Sequence, residues 1–319
     1  MLTTGNDMNR TQDAKPQDIG PESVSLHGVS SSFQGLWRLS GTVPPPHQNN
    51  LIVVTEVGNL MRIQQVLNAL PADCAARQAI VLTGTAPRPE VNVSLVSIAG
   101  LYVERLEVYP GPVFLPDMLG ALIYPAMTNH IWWACEHVPE TDALRALAHL
   151  ADQLILDTLT DMPTLVDGTL SDLSWERTAP WRSVVARTLD APDHRIVLPD
   201  LERAVVRYAA GDARPARLFA AWLMDHLNWE DASRVQLAAV HSERGAGDLD
   251  GLELIGPGSF GLWDAGISDV RVRLNAADVS QDRVLPLLPG SLADGLAALL
   301  TGPRKSSQQL LRLARSVTT

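Results

Sequence analysis

Two tryptophans and two arginines cluster in the middle of the chain. Residues 172–182 read DLSWERTAPWR and include Trp175, Arg177, Trp181 and Arg182; we call this stretch the Trp-Arg segment. Indole rings and guanidinium groups stack on each other, and both are enriched in protein interfaces. The segment predicts either a partner-binding surface, or an internal staple in which the arginines stack on the tryptophans or pair with nearby carboxylates.

Other chemistry-bearing patterns do not predict catalysis. The run Gly256 to Gly261, GPGSFG, has the glycine spacing of a dinucleotide-binding loop. The residues after it predict a strand, whereas a pyrophosphate needs a helix N-terminus, so we interpret the run as a hairpin turn. The eight histidines are scattered without metal-ligand spacing. We therefore predict no catalytic residue, no cofactor and no metal.

The consecutive pair Trp132 and Trp133 lies in a predicted strand. Successive side chains of a strand point to opposite faces of the sheet. The pair therefore predicts core packing on both faces, with exposure of one ring to a partner as the alternative.

Composition narrows the function classes further. The chain has 319 residues, of which 46% are hydrophobic, and a formal net charge of −11, which disfavours nucleic-acid binding. No run of about 18 apolar residues predicts a membrane helix. No apolar stretch of a signal peptide stands at the N-terminus, so we expect a cytoplasmic protein. Cys74 and Cys135 have unrelated contexts and predict no disulfide.

The elements that would position these residues follow from apolar periodicity. A continuous apolar run at 51–55, a helical pattern at 63–70 and a second run at 79–82 predict a βαβ unit. Alternating segments at 91–97 and 101–108 predict a hairpin or two neighbouring strands. The fold class is therefore α/β, with a mixed sheet and flanking helices in a first domain at 29–165.

The rest of the chain is predicted to divide into a tail and a second domain. Residues 1–28 are polar and predict a mobile N-terminal tail. A turn-rich stretch at 161–174 marks the predicted boundary, and 166–319 predict an α+β domain. Within it, Thr178 and Pro180 predict a helix start. The alternating run 270–274 predicts a strand with one buried face and one solvent-exposed face.

One family resemblance is specific. The stretch Asp172 to Asp190 resembles the Asp-Leu-x-Trp … Thr-Pro-Trp-Arg signature of the OpcA family, the glucose-6-phosphate dehydrogenase assembly proteins. The chain departs from the family pattern at two positions. Ala179 stands between Thr178 and Pro180, and Asn228 stands where the family usually has Gly. Four other pieces resemble the family in the same order: Asn50-Leu-Ile-Val-Val, Ile131-Trp-Trp, Leu150-Ala-Asp-Gln-Leu-Ile-Leu-Asp157 and Ala221-Trp-Leu-Met-Asp-His-Leu-Asn-Trp229.

The resemblance implies a non-enzymatic protein that binds glucose-6-phosphate dehydrogenase and promotes its active assembled form. The candidate partner-binding residues are Trp175, Arg177, Pro180, Trp181 and Arg182. Helical spacing predicts a buried Trp181 and an exposed Arg182 that is free to contact the partner. The alternatives are a sugar-phosphate or nucleotide-binding α/β enzyme with a fold-assembled site, and a scaffold without effect on activity.

Overall fold

The protein is described by a computed structural model. It covers residues 17–45, 49–71, 74, 77–84, 89–110, 115–137, 139–157, 169–190, 198–256, 259–266, 268–276, 279–287, 290–302 and 308–317.

Strands and helices alternate through the first half, and strands dominate the second. The strands are β1 (Ile19–Val24), β2 (Asn49–Glu56), β3 (Arg77–Thr83), β4 (Glu90–Ile98), β5 (Leu101–Tyr109), β6 (Thr128–Trp133), β7 (Gln153–Leu156), β8 (Leu170–Asp172), β9 (Arg203–Ala209), β10 (Val235–Val240), β11 (Leu249–Gly256), β12 (Ser259–Ala265), β13 (Asp269–Ala276) and β14 (Val279–Pro286). The helices are α1 (Val29–Ser40), α2 (Leu60–Ala69), α3 (Leu115–Gly120), α4 (Thr141–Leu150), α5 (Leu173–Arg177), α6 (Ala179–Leu189), α7 (Arg214–His226), α8 (Leu292–Thr301) and α9 (Gln308–Ala314).

An eight-stranded sheet organises the first half of the chain. Its strand order is β1-β4-β5-β3-β2-β6-β7-β8. All neighbours from β5 to β8 are parallel, and β4 and β1 extend the sheet in antiparallel fashion. In chain order the parallel strands are arranged 3-2-1-4-5-6, which is the doubly wound order of dinucleotide-binding domains. The predicted mixed α/β sheet is confirmed.

Both faces of this sheet are buried, which explains the unbroken apolar runs of its central strands. Helices α1, α3 and α4 contribute to the core on one face, and α2 and α8 to the core on the other. Trp133 lies in the first core and Trp132 in the second, which confirms the predicted packing on both faces. Cys135 and Cys74 also belong to opposite cores, and neither forms a disulfide.

A six-stranded sheet forms most of the second half. Its order is β10-β9-β11-β12-β13-β14, and only β10 pairs in parallel. Helices α6 and α7 cover one face around the fully buried Trp263. Val270, Val272 and Leu274 point into this core and Arg271 lies outside it, as the alternation predicted.

The glycine-rich run joins two antiparallel strands, as predicted. Gly256 ends β11 and pairs with Ser259, the first residue of β12. Pro257 and Gly258 lie outside the described residues.

Helix α7 is shared between the two sheets. Leu218 and Ala221 pack into the core of the larger sheet, and Phe219 and Trp222 into that of the smaller. Residues C-terminal to the predicted boundary also complete the first sheet, because β8 pairs with β7 and α8 contributes Leu296 to its core. The two predicted domains thus share elements, and residues 158–168 around the boundary lie outside the described residues.

The N-terminal region differs from the expectation of a tail that extends to residue 28. Residues 1–16 lie outside the described residues. Residues 19–24, however, form β1, which pairs with β4. Ile19 and Val24 pack against the core, so these two apolar side chains give the strand its anchor. Among the described helices, none is both long and apolar enough to span a membrane.

Candidate functional site

The Trp-Arg segment lies where the two sheets meet. Leu173 of α5 packs into the core of the eight-stranded sheet, whereas Trp181 and Val185 of α6 pack into the core of the six-stranded sheet. The half-buried ring of Trp175 contacts both the first-sheet core and the second-sheet core. This short stretch therefore joins the two halves of the molecule.

A buried ion pair begins the segment. One carboxylate oxygen of Asp172 accepts hydrogen bonds from the backbone N–H groups of Ser174 (2.8 Å) and Trp175 (3.4 Å), which caps α5. The other oxygen accepts from Nε of Arg214 at 2.9 Å and also from its Nη2. The side chains of Asp172 and Arg214 are 0% and 4% exposed. The pair fixes the start of α5 to the start of α7.

Arg182 stacks on Trp175. Its guanidinium carbon lies 3.3 Å from the centroid of the indole ring, and its Nη2 donates to the backbone oxygen of Trp175 at 3.3 Å. Burial lowers the pKa of Arg182 to about 10, against the opposing effect of Glu176.

The prediction of an exposed, free Arg182 is therefore wrong. The chain breaks between α5 and α6 at Thr178, whose hydroxyl donates to the backbone oxygen of Trp175 at 2.8 Å. Thr178 keeps right-handed helical dihedral angles (φ −81°, ψ −6°), and Arg182 follows Trp175 by about two helical turns, so Arg182 lies over the ring of Trp175. The alternative interpretation, in which an arginine of the segment stacks on a tryptophan within the protein, describes this pair correctly.

The other arginine of the segment binds a loop of the second half. Nη2 of Arg177 donates to the carboxylate of Asp248 at 2.8 Å and to the backbone oxygen of Ala246 at 3.2 Å. The intervening Gly247 has φ +80°, and a Cβ there would lie 2.9 Å from Cβ of Asp212, so the close approach of this loop requires glycine.

Pro180 and Trp181 complete the set of candidates. Pro180 stands in the first turn of α6 after Thr178, as predicted. Trp181 is 4% exposed, which confirms its predicted burial. Its ring meets Phe219 edge-on with a centroid distance of 6.3 Å. Pro180, Trp181 and Arg177 line one small crevice.

Further buried charges surround the segment. Asp157 follows β7, and its carboxylate lies 3.4 Å from Nη2 of Arg62. Burial raises the pKa of Asp157, against the opposing charges of Arg62 and Arg177. Burial also raises the pKa of Asp212, whose carboxylate accepts the backbone N–H of Arg214 at 2.9 Å.

Sequence reasoning missed most of this cluster. Asp157 closed one of the family-like segments, and its position at a strand end was a usable signal. Arg214 and Asp248 had none, because they are 42 and 71 residues away in sequence from their partners Asp172 and Arg177.

The doubly wound strand order implies a dinucleotide at the turn after β2, and the residues there do not fit one. Residues 56–59, which we call the β2 turn, read Glu-Val-Gly-Asn and hold one glycine in place of three. The carboxylate of Glu56 would repel a pyrophosphate. Val57 is 57% exposed, and its side chain stands where a glycine would let the backbone approach the pyrophosphate. The second strand, β3, ends at Thr83 rather than at the acidic residue that binds a ribose.

The rest of the described chain offers no evident metal centre. No group of three His, Cys, Asp or Glu side chains is placed to hold a metal ion within those residues. The contacts of the Trp-Arg segment are ion pairs, cation–π stacks and helix caps, whose chemistry suits recognition and the joining of elements.

Comparison with known proteins gives matches of two kinds. Residues 169–312 match the OpcA family model that describes the C-terminal domain of a glucose-6-phosphate dehydrogenase subunit. The chain is similar to the putative OxPP cycle protein OpcA of Nostoc punctiforme, with 28% identity over 127 residues (36% of this chain, 27% of the relative). The protein of the same name from Synechocystis sp. is 24% identical over 159 residues (43% of this chain, 34% of the relative). The matches thus span about a third of each relative.

A solved structure shares the fold. KijD10, a 3-ketoreductase from Actinomadura kijaniata in complex with NADP, superimposes with a TM-score of 0.50 and 12% identity, over 84% of this chain and 95% of that one. At this identity the likeness concerns the fold alone. The family model covers the whole Trp-Arg segment, whose residues first carried the resemblance. That match, over less than half of the chain, and the two curated relatives show that the chain is similar to the OpcA family.

Proposed function

We propose that the protein is a non-catalytic subunit that binds glucose-6-phosphate dehydrogenase and promotes its active oligomer. The observation that carries this proposal is the family match over residues 169–312, which includes the Trp-Arg segment. The unsuitable β2 turn supports the non-catalytic part, since a dehydrogenase of this strand order would hold its dinucleotide there.

The outer surface of α5 and of the first turn of α6 is the proposed contact with the dehydrogenase. Arg177, Pro180 and the stacked pair of Trp175 and Arg182 are all half-buried, so each presents some surface on a rigid support. Rigid aromatic and arginine side chains with part of their surface exposed are frequent interface hot spots. Trp181 lies beneath this surface and supports it rather than touching the partner.

Activation follows if this surface binds the active oligomer more tightly than the inactive form. Only such a difference in affinity shifts the equilibrium between two states, and about 1.4 kcal/mol of difference changes their ratio tenfold. The ion pair between Asp172 and Arg214 would act indirectly, because it fixes the orientation of α5 beneath the contact surface.

The test is a titration of purified cognate dehydrogenase with this protein. We expect no oxidation of glucose 6-phosphate by the protein alone, a saturable rise in dehydrogenase activity, and a joint peak in gel filtration. An Arg182→Gln variant should activate less than the parent, whereas Met61→Ser, a change at an exposed residue of α2, should activate equally. Unchanged dehydrogenase kinetics across the titration, with no joint peak, would refute the proposal.

A further inference from the structure

A cleft lies on the six-stranded sheet beside α6. It has a volume of about 190 Å³ and opens between α6 and the strands β13 and β14. Arg177, Trp175 and Arg182 do not line it, so it is separate from the proposed partner surface.

The floor of the cleft is apolar. Val272 and Leu274 of β13 form it together with Leu285 of β14, and Val184 of α6 adds a wall. The register pairs Val272 with Arg283 and Leu274 with Gln281, which places the polar ends of these two β14 residues over the same face. An aliphatic body in this space would lose its contact with water, which favours binding.

Two arginines give the cleft its charge. Arg187 of α6 and Arg283 of β14 both line it and both are exposed. Neither forms an ion pair or hydrogen bond with any of the residues that the structure describes. Two such guanidinium groups beside an apolar floor are suited to bind an anion that has an aliphatic body.

A third polar group restricts the chemistry of that anion. Oε1 of Gln281 is buried and accepts no hydrogen bond from the described part of the chain. A buried acceptor without a donor is unfavourable, and a ligand hydroxyl or N–H would satisfy it. A cationic donor is disfavoured by the two arginines, so a neutral hydroxyl is the better match.

We propose that this cleft binds a short branched α-hydroxy acid. The carboxylate pairs with Arg187 and Arg283, the hydroxyl donates to Oε1 of Gln281, and the branched chain covers Leu274 and Leu285.

Calorimetric titration of the full chain with leucic acid, the α-hydroxy analogue of leucine, tests the site. We expect saturable binding at millimolar concentration or below, weakened about tenfold or more by Arg283→Gln or Arg187→Gln and lost in the double variant. Arg145→Gln is the matched control, because Arg145 is an exposed helical arginine outside the cleft and should leave binding unchanged. Circular dichroism melting checks that each variant remains folded.

Related probes separate the three parts of the proposed ligand. Lactic acid keeps the carboxylate and the hydroxyl but loses three carbons, and binding should weaken about fourfold per methylene lost. Isocaproic acid lacks the hydroxyl and leucine replaces it with an ammonium group, so both should bind more weakly than leucic acid.

Three results would overturn the proposal. They are no binding of leucic acid at millimolar concentration, equal binding of lactic and leucic acids, and full binding by the double variant. Binding of an acidic peptide without binding of these acids would identify a macromolecular ligand and would likewise overturn it.

Discussion

The β2 turn and the Trp-Arg segment differ in what their residues are suited to do. The β2 turn has the position of a dinucleotide site in a doubly wound sheet, but it carries Glu56, an exposed Val57 and a single glycine. The Trp-Arg segment does not lie at the dinucleotide-binding turn of the doubly wound fold. It carries a capped and buried ion pair, a cation–π stack and a second arginine bound to a distant loop.

In this molecule the residues that set the fold are therefore not the residues that point to the function. The strand order and the likeness to a ketoreductase concern the scaffold, and the turn that would hold a nucleotide does not suit one. The family match instead covers the segment where the sheets join. If the comparison is right, changes in the Trp-Arg segment will matter for stability and partner binding, and changes in the β2 turn will not.

The largest expected effect is on stability, from Trp181→Ala. The ring is buried against Phe219 in the core of the six-stranded sheet, so its loss removes apolar contacts and leaves a cavity. We expect the free energy of unfolding to fall by about 3–5 kcal/mol, measured by urea denaturation. Val57→Ala in the β2 turn is the control and should stay within about 0.5 kcal/mol of the parent. An equal fall in the free energy of unfolding for both variants would contradict the proposed difference between the Trp-Arg segment and the β2 turn.

Asp172→Asn should cost about 3 kcal/mol of unfolding free energy, because the amide keeps the cap of α5 but leaves Arg214 buried without its counter-charge. The comparison variant is Asp142→Asn, which breaks the exposed pair with Arg145 at 3.1 Å and should change stability by less than about 1 kcal/mol. A neutral result for Asp172→Asn would show that the ion pair does not secure the junction.

Asp157→Asn should act in the opposite direction to Asp172→Asn. Burial raises the pKa of Asp157 in the folded protein, so the folded state binds its proton more tightly than the unfolded state does. The stability of the parent therefore falls as pH rises from about 4, the pKa of an unfolded Asp, through the raised folded value. Asp157→Asn has no carboxyl group at this position, so its stability should not fall with pH for this reason.

The check on Asp157 is urea denaturation of parent and Asp157→Asn between acid and neutral pH. The variant should match the parent at the acid end and exceed it at neutral pH. A variant that is less stable than the parent at neutral pH would show that the pair with Arg62 outweighs the burial of the carboxylate.

Arg182→Gln has the smallest expected effect on stability. Loss of its stacking on Trp175 should lower the free energy of unfolding by about 1 kcal/mol, the usual size of a partly exposed cation–π contact. Thermal melting of this variant beside the parent measures the change. A drop as large as that of Trp181→Ala would make Arg182 a core residue and remove it from the contact surface.

Local patterns predicted the elements well and their long-range partners poorly. Apolar runs located the central strands, and the alternation at 270–274 identified the buried face of β13. The strand order was not predictable, because pairing between strands distant in sequence leaves no local pattern. The exposure of Arg182 was predicted wrongly because its spacing from Trp181 alone takes no account of Trp175, about two helical turns earlier, on which Arg182 stacks.

Binding of purified glucose-6-phosphate dehydrogenase to three forms of this protein tests the central claim most directly. Affinity would be measured by surface plasmon resonance for the parent, for Arg182→Gln and for Met61→Ser, the last at a 68% exposed residue beside the β2 turn. The account predicts that Met61→Ser binds as the parent does and that Arg182→Gln binds roughly tenfold more weakly, at about 1.4 kcal/mol. Equal binding by the parent and Arg182→Gln, with weaker binding by Met61→Ser, would contradict it.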